Sequence, residues 1–140
     1  MNLLSGIINK MTKKSELGKA GEDFACEYLI KNGYKIIDRN FREKWGELDI
    51  VAISKDKTLI FVEVKTMQES NLQGLGPEDQ MTAAKIKKFK KVASLYAGHN
   101  QNLINDKKGW RLDLIALEVS SAELLTKDEN NFRVKHYQNI

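Results

Sequence analysis

The chain has 140 residues with 23 Lys and Arg against 19 Asp and Glu, a formal net charge of +4. That length fits one domain with one core. The single cysteine, Cys26, excludes an internal disulfide and suits a reducing, cytoplasmic compartment. No apolar run is long enough to span a membrane, and residues 1–14 lack the small-residue exit of a signal peptide.

In chain order, residues 1–14 place Leu3, Leu4, Ile7, Ile8 and Met11 at helical spacing, followed by lysines. They read as a flexible arm or a partner-packing turn ahead of a single domain over 15–140. The spacing predicts a helix over 15–32, capped by Ser15 and ended at Asn32-Gly33. Leu17, Gly21, Phe24, Ala25 and Tyr28 form its apolar stripe, with Glu22 at the border and Asp23 on the solvated side. Strands follow at 34–41, 46–53 and 59–67. Pro77 starts and Gly98 stops a second helix over 78–97, and strands at 110–118 and 132–138 complete the chain. The fold class is α/β, a mixed sheet of about five strands flanked by helices in the order α-β-β-β-α-β-β.

Charge in the hairpin 46–67 interrupts runs of Val, Ile and Phe where burial should be deepest. Alternation puts Glu47, Asp49, Val51 and Ile53 on one face, and Leu59, Phe61, Glu63 and Lys65 on one face of the next strand. With residues 54–58 as the loop, Ile53 meets Leu59, Val51 meets Phe61, and Asp49 meets Glu63. Two opposed carboxylates repel unless a cation joins them. A small set of hard oxygen ligands suits Mg2+ or Mn2+, with Asp49 and Glu63 as ligands and Lys65 beside them. Such a centre favours hydrolysis of a phosphodiester.

The second helix places Lys85 amid Met81, Phe89, Val92 and Tyr96, while Lys87, Lys88, Lys90 and Lys91 fall off that stripe. A lysine there needs an anion, either a site carboxylate or a phosphate. Basic groups at Lys10 to Lys14, at Arg39, Arg42 and Lys44, and from Lys85 to Lys91 suit a phosphate backbone. Trp45 covers the hairpin end and Trp110 belongs to the core. His99 and His136 are too sparse for zinc and read as surface or strand residues, and Asp113 reads as structural. The segment 68–77 reads as a mobile loop.

These residues resemble the PD-(D/E)xK nuclease superfamily, and within it the YraN family related to Holliday-junction resolvases. The likeness rests on Gly18-Lys19-Ala20-Gly21-Glu22, Gly33-Tyr34, Arg39-Asn40, Gly46-Glu47-Leu48-Asp49, Phe61-Val62-Glu63-Val64-Lys65, Lys85 and Arg111-Leu112-Asp113. The resemblance implies a restriction-endonuclease-like core, with Glu22, Asp49 and Glu63 as acidic site residues and Lys65 as the catalytic lysine. Two positions depart from it. Leu48 stands where the superfamily's proline would, and Thr66-Met67 follow Lys65 where an arginine is usual. The expected function is a metal-dependent endonuclease on DNA, with Lys85, Arg39 and Arg42 contacting substrate. A nucleic-acid-binding module without catalysis and a scaffold protein are the alternatives, and a homodimer would match a symmetric branched substrate.

Overall fold

The computed structural model describes residues 3–68, 76–119 and 132–140, with side chains from residue 15 onward. Its order is α1 (Leu3–Lys31), β1 (Lys35–Glu43), β2 (Gly46–Ile53), β3 (Leu59–Gln68), α2 (Ala83–His99), β4 (Trp110–Val119) and β5 (Phe132–Tyr137), with short 3-10 turns at Pro77–Gln80 and Gln101–Leu103. The five strands form one mixed sheet in the order β1-β2-β3-β4-β5. Only β3 and β4 are parallel, because α2 carries the chain back across the sheet between them. This is the predicted α/β architecture.

Two helix boundaries differ from the sequence expectation. Helix α1 starts at Leu3 instead of Ser15, because the residues from 3 to 14 have helical spacing of their own and no glycine or proline separates Ile7 from Leu17. The second helix starts at Ala83, where the Thr82 hydroxyl accepts the Lys85 N–H. Pro77 opens a separate 3-10 turn instead. Most of the expected loop at 68–77 lies outside the described residues.

Each helix covers one face of the sheet. Ala25, Cys26 and Leu29 of α1 pack with Ile50, Ala52, Ile60, Val62, Ile115 and Leu117. Phe89, Val92, Ala93 and Tyr96 of α2 pack with Val51, Leu59, Phe61 and Leu112 on the other face. Strand β3 lies mid-sheet under both layers, so Leu59 to Val62 are buried on alternate faces without a polar residue between them. Polarity enters at Glu63, where that double cover ends. Gly21 sets the approach of α1. A Cβ there would fall 2.1 Å from Thr66 Oγ1, so only glycine lets the helix lie this close to β3.

Beneath the C-terminal half of α1, Asp113 is wholly buried. It accepts hydrogen bonds from Arg111 Nε at 2.9 Å and from the Asn139 backbone N–H at 3.0 Å, and pairs with His136 Nε2 at 2.8 Å. Tyr34 hydroxyl accepts from Arg111 Nη2 at 3.2 Å, and Tyr28 hydroxyl lies 3.2 Å from His136 Nδ1. This network confirms the structural reading of Asp113. Of the two readings of His136, surface or strand, the strand one holds: it lies in β5, which pairs beside β4 and turns its side chain inward to 7% exposure.

Candidate active site at the fork between β2 and β3

The predicted hairpin register is present as far as Ile50 and Val62, and the expected Asp49–Glu63 pair lies beyond the end of that ladder. Ile53 pairs with Leu59, Val51 with Phe61 and Ile50 with Val62, closed by a Ser54 N–H bond to the Thr58 carbonyl at 3.0 Å. Beyond Ile50 the β2–β3 ladder stops, while β2 stays paired with β1 through Leu48, Glu47 and Gly46. The two strands fork. Asp49 sits at that fork, and its Oδ2 accepts the Val64 N–H at 2.9 Å. Its carboxylate thus replaces the backbone acceptor that a continued ladder would have supplied.

The start of β2 lies against α2. At Gly46, φ is +150°, and a Cβ would stand 2.3 Å from Val92 Cγ2. Glycine permits both the backbone angle and the contact. In β1, Asn40 adopts φ +51° between Arg39, which pairs with Ile50, and Phe41, which pairs with Leu48. Asparagine tolerates this left-handed geometry better than most side chains.

The fork opens into a cavity of about 500 Å³ whose lining includes Glu47, Asp49, Glu63, Lys65, Lys85 and Lys88. Lys65 Nζ lies 3.2 Å from Glu63 Oε1, with both side chains about a quarter exposed (23% and 22%). Asp49 and Glu63 lie near enough for the charge of Asp49 to act on Glu63. Burial raises the Asp49 pKa, opposed by the Val64 N–H and Lys65. Burial and the Asp49 charge push Glu63 up to about 7. Together the two carboxyls hold a proton into the neutral range, as a close pair does in a poorly hydrated site.

Lys85 reaches the cavity but is exposed, since α2 begins late and leaves it in the first helical turn. It does not sit within the buried stripe as its spacing implied. Lys88 lines the same cavity, one helical turn on, although the sequence wheel set it apart. Glu47 joins them from β2. Its position on the Asp49 face was the available signal.

Glu22, Arg39 and Arg42 line a neighbouring groove of about 540 Å³ together with Lys19, Asp23 and Asn40. Burial and then the Asp49 charge raise the Glu22 pKa, so the two sites share a field. The grooves meet where Arg42 Nε approaches Glu47 Oε1 at 3.9 Å. Arg39 is held by Asp23 at 2.7 Å, which places Asp23 in a bridge rather than free on the solvated side. The structure therefore brings Asp49, Glu63, Lys65 and Lys85 into one cavity, with Glu22, Arg39 and Arg42 beside it.

Among the described residues, no group of three or more His, Cys, Asp or Glu side chains is placed to hold a metal. Two carboxylates are the donors at hand. Their chemistry fits a hard divalent cation that keeps most of its waters, and a cation would replace the shared proton. This exchange has a measurable sign. Glu63 titrates above its ordinary value, so the metal-free fold loses stability as pH rises from about 4.5 to about 7. Mn2+ should therefore raise the melting temperature more at pH 8 than at pH 5, by differential scanning fluorimetry. An equal shift at both values would refute the carboxyl pair as the binding group.

A mixed α/β fold with an acid-and-lysine cavity at a forked hairpin defines the class of this molecule. The profile of "Uncharacterised protein family UPF0102" matches residues 21–117, and the chain belongs to that family. It is 37% identical to a UPF0102 protein of Campylobacter concisus over 81% of this chain and 93% of the relative. A UPF0102 protein of Flavobacterium johnsoniae is 34% identical over 90% and 94%. The matched span contains the fork, Glu22, the Lys85 turn and Asp113. Among the described residues no helix is long and apolar enough to cross a membrane.

Proposed function

We propose that the chain is a metal-dependent endonuclease that hydrolyses DNA phosphodiester bonds, built on a restriction-endonuclease-like core of the PD-(D/E)xK type. The observation that carries this reading is the fork. It gathers Asp49, Glu63 and Lys65 in one cavity, where burial raises both carboxyls and the Asp49 charge helps push Glu63 up to about 7, a repulsion that a cation would relieve.

Asp49 and Glu63 are the groups that would hold Mg2+ or Mn2+. The ion, when bound, supplies Lewis acidity toward a phosphoryl oxygen and lowers the pKa of a water. Lys65 stands beside Glu63, where its ammonium offsets negative charge developing on the phosphate and orients the attacking water. The Asp49–Val64 hydrogen bond fixes the carboxylate direction, so little rearrangement is needed at reaction. Lys85 and Lys88 face the cavity without ion-pair partners among the described residues and are available to neighbouring phosphates. Glu22 stands in the second groove within reach of the Asp49 charge, and Arg42 extends the cationic rim there.

The test incubates labelled linear, flapped and four-way DNA with Mn2+ and with Mg2+, using the wild type and Lys65→Ala. Removal of one charge-stabilising group is expected to lower cleavage by about 10²-fold. Equal cleavage by the variant would assign the activity to a contaminant and sink the catalytic role.

A further inference from the structure

A second feature lies across α2 from the fork. The helix Ala83–His99 carries Lys85, Lys87, Lys88, Lys90 and Lys91 and no acidic residue. None of these lysines takes part in an ion pair among the described residues. Lys87, Lys88, Lys90 and Lys91 line an open groove of about 650 Å³ with Ala84 and Trp110. The groove surface is almost entirely carbon, as lysine methylenes and an indole would give. Trp110 is half-buried, packed against Phe61 in a T-shaped ring contact at 5.5 Å, and it also lines the groove. The aromatic is thus held by packing before any ligand arrives.

A carbon floor beside a row of ammonium groups fits one kind of polyanion better than others. In a duplex the base faces are stacked on each other, so a duplex offers phosphates to the lysines and nothing to the floor. A single strand offers both, with bases free to stack on an aromatic and a backbone that follows the cations. Lys88 lines both this groove and the fork cavity, so the two adjoin at that side chain on opposite flanks of α2.

We propose that this groove binds a single-stranded segment of DNA leading to or from the fork, with a base stacked on Trp110 and phosphates on Lys87, Lys90 and Lys91. The proposal rests on reading the fork as a nucleic-acid site, and it narrows the substrate to one with an unpaired strand. Trp45 has no share in it, because its ring packs against Phe41 at 5.4 Å and His99 at 6.0 Å.

The test titrates the full chain with a 20-nucleotide oligothymidylate, a blunt duplex and polyglutamate in EDTA, reading tryptophan fluorescence and anisotropy. Tight binding of the single strand with quenching is expected, and Trp110→Phe should abolish most of that quenching. A triple Lys87→Gln, Lys90→Gln, Lys91→Gln variant should bind about tenfold or more weakly, with a log–log salt slope smaller by about 2, at about 0.7 per phosphate contact. The same variant should hydrolyse bis(4-nitrophenyl) phosphate with Mn2+ at the wild-type rate, since that small diester needs only the fork. The proposal is overturned by unchanged single-strand affinity in the triple variant, by quenching that survives Trp110→Phe, or by equal binding of duplex or polyglutamate. Loss of small-diester hydrolysis in the wild type would instead count against the endonuclease reading, leaving the groove to be judged by binding alone.

Discussion

Asp49→Asn is expected to leave the chain folded while lowering cation-dependent cleavage by about a thousandfold or more. The amide keeps an oxygen where Oδ2 accepts the Val64 N–H at 2.9 Å, so the fork retains its backbone partner. What disappears is one of the two negative charges that a divalent ion needs. Removal of that charge also relieves Glu63, whose pKa is raised first by burial and then by Asp49, so it should titrate lower in the variant. Cleavage assays, Mn2+ titration calorimetry and the carboxyl carbon shift of Glu63 against pH check these expectations. Undiminished cleavage by a folded variant would remove Asp49 from the mechanism. Loss of the fold would show that its main task is to terminate the β2–β3 ladder.

The second large effect concerns stability. Asp113→Ala should cost about 3–5 kcal/mol, because it strips the half-buried Arg111 and the inward-turned His136 of their shared partner and leaves the Asn139 N–H unpaired. In a chain of this size that corresponds to a fall in melting temperature on the order of 10–20 °C. Burial opposes ionisation of Asp113, yet hydrogen bonds from His136, Arg111 and Asn139 outweigh it and hold its pKa below the ordinary value. Its contribution is therefore complete above the ordinary carboxylate pKa and is lost as pH falls through the depressed one. Wild type should lose this stabilisation in acid, whereas the variant should show a flatter acid limb in denaturant melts across pH. A change below 1 kcal/mol would mean that water or rearranged side chains satisfy the network.

Much of the fold was legible because it follows from periodicity. Unbroken apolar runs, Ile50 to Ile53 and Leu59 to Val62, on either side of the 54–58 turn located β2 and β3, and the loop length fixed Ile53 against Leu59. The three central site residues were legible for the same reason. Charges beside such runs conflict with burial, and alternation assigned Asp49, Glu63 and Lys65 to a common face. Lys85 was found by its helical spacing, but its environment was not. A wheel gives an angle around the helix and says nothing of where the helix begins relative to the sheet edge, and α2 starts only at Ala83. The fixed partnership of Arg39 with Asp23 was likewise hidden, since it joins β1 to α1 across 16 positions in sequence.

The sequence by itself determined a mixed α/β domain, a hairpin in a stated register and an acid-and-lysine group on one face of it. These depend on local pattern, and each residue's neighbours along the chain suffice to define them. Only tertiary structure decided where the ladder ends at Asp49, which lysines of α2 reach the cavity and which face Trp110, and that His136 meets Asp113. Those outcomes depend on how separate elements pack. Strand twist, helix start and the close approaches at Gly21 and Gly46 set distances of a few ångströms that no periodicity encodes.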